Sequence, residues 1–408
     1  MIFDKYVIAA FCVYLFVFVC ESKYSPRYNV MELTNQLGMT AEPHNVTTED
    51  GYILKIFRIK AINGKEQENR EPVLLQHGMA GSCEQFLQAK NNSLSLILFN
   101  NGFDVWLGNT RGNFYSRKHV SLDPDKDKEF WFYTLDQLGQ YDQPAVIDHI
   151  LKITGKQQLS YIGHSQGGGS LLAMASGRPE YNQKIKIFVG LAPGAYMKHN
   201  RHPFLVLSKY VLDLAKVRKL CYLHPKYLLQ FLNLYELEAV SNSELFSKII
   251  QGVCGEKVNY RINCRPIINF VSNSLTSLFD YSLAPQIFTT TPAGMGLFPV
   301  LHYAKMHISG TFQKYDWGPE INLQKYNSTV PPKYDWSKIT CPTVLIYGLS
   351  DALVNHKDVK YMAKKLPNLV EMYKVADDRF NHLDFLWSKN ITPLLHDKVL
   401  NILNNYRS

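Results

Sequence analysis

The chain has 408 residues, of which 46% are hydrophobic and 19% are charged, and its formal net charge is +9. This composition is typical of a globular protein and excludes a disordered chain. The lysines and arginines are spread along the chain instead of forming a basic stripe, which argues against nucleic-acid binding. A mildly cationic surface could help the protein adhere to anionic lipid interfaces. A solvated surface with no partner is an equally good interpretation of the charge.

The N-terminal segment predicts a cleaved leader. Asp4 and Lys5 precede an uncharged apolar run, Tyr6 to Cys20, which is too short for a comfortable membrane span. We therefore expect a signal peptide over residues 1–22, with an uncleaved anchor as the alternative. No other apolar run is long enough to cross a bilayer, so no transmembrane span is expected after cleavage.

Four glycosylation sequons agree with a secretory route. Their asparagines are Asn45, Asn91, Asn327 and Asn390. Together with the leader they predict a secreted glycoprotein, with delivery to lysosomes as the alternative location.

Strand-like and helix-like segments alternate from about residue 52 to residue 191, which is the pattern of an α/β fold with a mostly parallel sheet. Two further strand-like runs follow near the C-terminus. The predicted strands are residues 51–57, 72–78, 104–107, 159–162, 185–191, 343–348 and 369–375.

The segment Gly163-His164-Ser165-Gln166-Gly167 carries the strongest functional signal. It lies between a predicted strand and a helix-like run of small residues, where a G-x-S-x-G sequence is the nucleophile elbow of an α/β-hydrolase. Side chains at Gly163 and Gly167 would collide with neighbouring backbone, so glycine is required there. Ser165 is the predicted nucleophile; the alternative is a glycine-rich turn with a surface serine.

The sequence changes character after residue 197. Residues 204–212 and 227–232 predict helices that are apolar nearly all round. The insertion occupies the place of a cap over the nucleophile, where it would form an acyl-chain pocket or pack only on itself. We predict a hydrolase core over residues 23–197 and 312–408, interrupted by a mainly helical cap over residues 198–311.

A serine hydroxyl needs a base and an orienting acid, and in this fold they follow the nucleophile in the order acid, then histidine. Asp351 comes directly after the predicted strand 343–348 and is the preferred acid. Asp358 lies in the following helical pattern and is predicted to be solvated.

His382 is the predicted base because it lies in the loop after the last predicted strand, before a helix that begins near Asp384. His356 is its main rival, but it is predicted to open a helix. The acid would hold the imidazole tautomer and stabilise the imidazolium that forms.

The amides of Met79 and Gln166 are the predicted oxyanion donors. Gln166 follows the nucleophile at a helix N-terminus, and Met79 follows an apolar strand that ends in His77-Gly78. His77 itself is interpreted as a structural hydrogen-bonding residue instead of a base.

Five cysteines remain after removal of the leader. Cys254 and Cys264 lie ten residues apart and form the predicted disulfide, which leaves Cys83, Cys221 and Cys341 as mostly buried thiols. No metal-binding spacing occurs, so a catalytic metal is not expected.

The chain resembles the acid lipase family, which includes gastric and lysosomal acid lipases, along nearly all of its predicted mature length. The matching segments are residues 44–54, 75–78, 108–117, 130–132, 141–145, 163–167, 292–294, 312–318 and 381–387. Residues 44–54 are similar to the opening strand of the family.

The resemblance implies an α/β-hydrolase fold and hydrolysis of triacylglycerols or sterol esters at an oil–water or membrane interface. It implies a mobile cap and no metal or coenzyme. It makes Ser165 the nucleophile, Asp351 the acid and His382 the base. It also makes the amides of Met79 and Gln166 the oxyanion donors, and Cys254 and Cys264 the disulfide of the cap.

Some positions depart from the family pattern. Gln137 replaces the usual glutamate, Gln143 replaces an apolar residue, and residues 290–296 lack a histidine before the proline and a serine after the glycine. None of these positions belongs to the predicted triad, and the changes in the predicted cap concern substrate preference more than activity. Two alternative functions use the same fold. The chain could be a non-catalytic lipid carrier, or it could transfer the acyl group to an alcohol instead of to water. The sequence does not fix the oligomeric state.

Overall fold

The computed structural model describes residues 29–62, 65–66, 70–202, 205, 252–254, 264–272 and 278–407. The predicted leader over residues 1–22 lies outside these ranges. So do the predicted cap helices at 204–212 and 227–232, apart from residue 205. In the described ranges, no helix has the length and apolar character needed to cross a membrane.

A nine-stranded sheet forms the centre of the molecule, in the order β1-β2-β5-β4-β6-β7-β8-β9, with the short β3 paired with β2. The strands are β1 (Met39–Thr47), β2 (Ile53–Ile62), β3 (Lys65–Glu66), β4 (Glu71–Gln76), β5 (Phe103–Gly108), β6 (Leu159–His164), β7 (Ile185–Leu191), β8 (Thr343–Tyr347) and β9 (Leu369–Lys374). In the sheet order, each strand from β5 through β4, β6, β7 and β8 to β9 runs parallel to the next one. By contrast, β2 pairs antiparallel with β1, β3 and β5. The predicted α/β architecture with a mostly parallel sheet is confirmed.

The α-helices within the described ranges separate most of these strands. They are α1 (Val30–Gln36), α2 (Leu94–Asn100), α3 (Leu135–Gln137), α4 (Gln143–Thr154), α5 (Gln166–Gly177), α6 (Arg265–Ser272), α7 (Ala284–Ile287), α8 (Leu297–Ser309), α9 (Pro319–Tyr326), α10 (His356–Ala363), α11 (Asp384–Trp387) and α12 (Asp397–Asn405). The described helices between residues 198 and 311 are α6, α7 and α8, and the boundaries of the cap stay a prediction.

The segment 44–54, which resembles the opening strand of the acid lipase family, is divided between β1 and β2. The two strands pair antiparallel with Val46 opposite Leu54. Gly51 closes the turn with a φ of 93°, and a Cβ atom there would lie 2.7 Å from the His119 ring. The turn therefore requires glycine, which a pattern of apolar residues does not reveal.

The central strands β5, β6 and β8 are buried along their whole length. This explains why their sequences are nearly continuous apolar runs, as expected for parallel strands covered on both faces. Because these strands are fixed by packing, the loops at their carboxyl ends begin from well-defined positions.

Gln143, one of the departures from the family pattern, is also buried. Its side-chain oxygen accepts a hydrogen bond from the Tyr161 hydroxyl at 2.9 Å, and its amide donates to Ser170 Oγ at 3.1 Å. The polar side chain is accommodated because both ends of its amide group have partners.

Candidate active site

The predicted site residues lie on loops that leave one edge of the sheet. Ser165 follows β6, Met79 lies after β4, Asp351 lies after β8 and His382 lies after β9. These four strands are parallel, so their carboxyl ends meet at the same edge. The topology therefore brings together side chains that are far apart in sequence.

Ser165 occupies a strained turn between β6 and α5. Its φ of 52° and ψ of −117° are unusual for a residue with a side chain. Its amide donates to Leu191 O at 3.0 Å, and its carbonyl accepts from the amides of Gly168, Gly169 and Gly194 at 2.8–3.1 Å. These hydrogen bonds hold the strained backbone in place, while the residue itself stays partly accessible.

The two elbow glycines lie where a side chain would meet backbone. A Cβ atom on Gly163 would lie 2.6 Å from the amide nitrogen of Gly168, and one on Gly167 would lie 2.8 Å from the carbonyl oxygen of His77. The end of β4 and the loop after it therefore approach the Ser165 turn more closely than a side chain at Gly167 would allow.

His382 and Asp351 form a buried hydrogen-bonded pair. His382 Nδ1 donates to Asp351 Oδ2 at 2.8 Å, and both residues are less than 5% exposed. The other carboxylate oxygen, Oδ1, accepts from the amides of Leu353 at 2.9 Å and Val354 at 2.8 Å. Because the carboxylate can only accept, the proton sits on Nδ1 and Nε2 is left as the basic nitrogen.

The prediction that Asp358 is solvated is wrong. Asp358 lies in α10 as expected, but its side chain is fully buried and accepts hydrogen bonds from the backbone amide of His199 at 2.9 Å and from its Nδ1 at 2.6 Å. Burial raises the pKa of Asp358, and the contacts with His199 oppose that rise. His356 begins α10, as its sequence position predicts.

The loop after β4 lies directly beside Ser165. A Cβ atom built on Gly78 would lie 3.1 Å from Ser165 Cβ. In the part of the chain that the structure describes, neither the Met79 amide nor the Gln166 amide donates a hydrogen bond. Two backbone donors near the serine are thus available for an oxygen atom.

His77 fixes the peptide group that carries one of these donors. Its Nδ1 donates to the carbonyl of Gly78 at 2.8 Å, and its Nε2 accepts from the Thr110 amide at 3.1 Å and the Asn113 side chain at 3.2 Å. Burial lowers the pKa of His77 to about 4. These contacts support a structural role and orient the Gly78–Met79 peptide.

Sequence patterns do not reveal Glu84, which lies on the same loop. It is buried and accepts hydrogen bonds from the Tyr115 hydroxyl at 2.5 Å and the Ser82 hydroxyl at 2.8 Å. Burial raises its pKa to about 7. Tyr115 lies in the segment 108–117 that resembles the acid lipases. In the sequence, that resemblance is the one signal of this contact.

Ala293 tethers the same loop from the other side. Its amide donates to Ala80 O at 2.8 Å, and its carbonyl accepts from the Phe114 amide at 2.7 Å. The Pro292-Ala293-Gly294 match therefore marks a structural support of the loop that carries Met79.

The predicted disulfide between Cys254 and Cys264 is present, with the Cα atoms 5.0 Å apart. Cys83 and Cys341 are buried free thiols, and burial raises the pKa of both. Cys221 lies outside the described residues.

Comparisons with known proteins identify the same fold and a set of relatives. Residues 30–90 match the model of a partial α/β-hydrolase lipase region, and residues 71–216 match the model of the α/β hydrolase fold. Solved structures with this fold include a Sulfolobus solfataricus protein (TM-score 0.55, 16% identity, 91% of this chain and 95% of that one). They also include an epoxide hydrolase from Vigna radiata (TM-score 0.50, 15% identity, 90% and 98%).

Curated relatives match over 92% of this chain. Gastric triacylglycerol lipase of Mus musculus is 35% identical, and the match covers 91% of its length. Lipase 1 of Drosophila melanogaster is 35% identical over 79% of its length, and lipase member M of Homo sapiens is 33% identical over 85% of its length.

We expect Gly167→Ala to lower stability by roughly 1–3 kcal/mol or more, because the added methyl group would be forced against backbone carbonyls. Gly177→Ala at the end of the same helix is the matched control, since its nearest neighbouring atom would lie 3.9 Å away. Thermal unfolding of the two variants checks this, and equal melting temperatures would contradict the close-approach argument.

We expect Glu84→Gln to cost more stability in acid than in base. A folded-state pKa of about 7 against an ordinary 4.5 means that the folded protein holds a proton which the unfolded chain releases. Glu84 therefore adds stability as the pH falls from about 7 to about 4.5, and glutamine cannot add it.

The measurement is the melting-temperature difference between wild type and Glu84→Gln at about pH 5 and about pH 8, expected to be larger at pH 5. The same substitution at the exposed Glu320 is the control. A pH dependence of equal size at both positions would refute the burial argument.

Proposed function

Because the chain belongs to the acid lipase family, it is a carboxylic ester hydrolase, and we propose that Ser165, His382 and Asp351 catalyse the hydrolysis of neutral-lipid esters. The observation that carries this proposal is the buried hydrogen bond between His382 and Asp351 at the sheet edge where the strained Ser165 turn lies.

In the proposed acylation step, Ser165 Oγ attacks the ester carbonyl while His382 Nε2 takes the hydroxyl proton. Asp351 keeps the proton of the neutral imidazole on Nδ1 and stabilises the imidazolium. The carbonyl oxygen becomes an oxyanion that accepts hydrogen bonds from the Met79 and Gln166 amides, each worth roughly 3 kcal/mol. His382 then protonates the leaving alcohol.

In the proposed deacylation step, water takes the place of the alcohol. His382 removes a proton from the water, which attacks the acyl group on Ser165, and the same amides hold the second oxyanion. The serine leaves with the proton from His382, so the resting state is restored.

Triacylglycerols and sterol esters are the proposed substrates. Support comes from gastric triacylglycerol lipase, whose name states its substrate and which is 35% identical to this chain. We propose that the insertion over residues 198–311 acts as a cap that shelters the acyl chain, and that the enzyme works on neutral lipid at an oil–water or membrane interface.

We expect Ser165→Ala to lower the rate of hydrolysis of a triacylglycerol emulsion or a sterol ester by a factor of about 10⁴ or more, because the covalent step is lost. Ser176→Ala, at the far end of α5, is the control; its hydroxyl accepts a backbone hydrogen bond from Asp335. If wild type shows no activity on either substrate or on a soluble ester, a lipid carrier becomes the better proposal.

We also propose a secretory route. The leader predicted over residues 1–22 comes before the first described residues of the fold, and all four sequon asparagines are solvent-exposed in the structure. Expression in a eukaryotic secretory host should give a medium-borne protein that begins near residue 23 and loses mass on treatment with an N-glycosidase. A full-length, unglycosylated protein retained in the cell would contradict this route.

A further inference from the structure

His164 belongs to the elbow, but the mechanism above does not use its side chain. The residue is buried, with 3% of its surface exposed. Its ring packs against the ring of His382 with centroids 4.8 Å apart, and Phe385 lies beyond with a centroid distance of 6.1 Å. The ring therefore has a defined position next to the proposed base.

A hydrogen bond connects His164 to the backbone of the base. His164 Nε2 donates to the carbonyl oxygen of His382 at 3.2 Å. A carbonyl oxygen can only accept, so the proton of the neutral His164 ring is on Nε2. This contact joins the residue before the nucleophile to the loop that carries the base, 218 residues further along the chain.

The Nδ1 edge of the His164 ring lies against the loop that carries Met79. A Cβ atom on Gly78 would lie 3.0 Å from His164 Nδ1. This nitrogen is buried and has no hydrogen-bond partner among the described residues. His164 thus bonds the loop of the base through Nε2 and lies against the loop of the Met79 donor at Nδ1, and it is covalently joined to Ser165.

The surroundings keep His164 uncharged. Burial lowers its pKa well below the ordinary value, and the nearby His382 and His77 lower it further. An uncharged ring does not repel the positive charge that His382 gains when it takes the serine proton.

We infer that His164 is a positioning residue, whose Nε2–H holds the His382 backbone so that the imidazole of the base stays in reach of Ser165. The inference rests on the proposed function, because it concerns the step in which His382 takes a proton. Loss of this hydrogen bond should loosen the base without changing the residues that contact substrate.

The test compares His164→Gln, which keeps a side-chain N–H at a similar reach, with His164→Phe and His164→Leu, which have none. We expect the apolar variants to lower kcat by roughly 10- to 100-fold, as a misplaced catalytic group does, with KM changed by less than about twofold. Glutamine should restore most of the lost kcat. Two apolar variants are made so that poor folding of one does not decide the result.

His119→Phe is the control. His119 lies outside the proposed cap and the proposed site, is half-buried, and donates the same kind of hydrogen bond, from Nε2 to the carbonyl of Asp50 at 2.8 Å. Its replacement should lower the melting temperature but leave kcat near the wild-type value.

A second readout needs no substrate. The Nδ1 proton of His382, bonded to Asp351, should give a downfield proton NMR resonance that is identified by its loss in His382→Ala. We expect this resonance to broaden or shift in His164→Phe and His164→Leu, and to persist in His164→Gln and His119→Phe.

The inference is overturned if the apolar variants keep wild-type kcat and an unchanged resonance, or if glutamine is as impaired as phenylalanine in both measurements. A wild-type protein that hydrolyses no ester would instead overturn the proposed function. In that case the resonance alone still decides whether His164 holds the His382 loop.

Discussion

The contact between Gly167 and the carbonyl oxygens of Gln76 and His77 sets the spacing of the whole site. At this contact the backbone of the first turn of α5 packs directly against the backbone at the end of β4, with no side chain between the two. Because of this contact, Gly78 lies beside the Cβ atom of Ser165. Donors must be fixed close to the reacting oxygen before the reaction begins, since hydrogen bonds weaken steeply with distance and angle. A side chain at Gly167 would separate the two loops.

Much of this candidate site can be predicted from the sequence, because its residues occupy the same kind of local position. Ser165, Asp351 and His382 each lie in a loop after an apolar strand, and parallel strands bring their carboxyl ends to one edge. The strand patterns are strong because β6 and β8 are fully buried, which leaves little room for polar residues. The order of the chain then determines which loop supplies which group.

The parts that could not be predicted depend on partners distant in the sequence. Asp358 looks like a solvated helix residue until its partner, His199, is known, and that partner is 159 residues away. Glu84 likewise looks like a surface carboxylate, but Tyr115 and Ser82 enclose it. The sequence pattern of a segment indicates its secondary structure but not which other segment packs against it. The burial of a charged side chain can therefore not be predicted from that pattern.

Three buried histidines meet near this edge, and their partners differ. Among the described residues, His382 donates to a carboxylate, whereas His77 and His164 donate to backbone carbonyls. A second imidazolium at the position of His164, 4.8 Å from the His382 ring, would repel the positive charge that the proposed base gains. With an effective dielectric constant of about 20, that repulsion is about 3 kcal/mol. This equals the contribution of about one oxyanion donor. Burial keeps His77 and His164 uncharged, so in the proposed mechanism His77 can hold the loop of Met79 and His164 the loop of His382 without repelling the charge on His382.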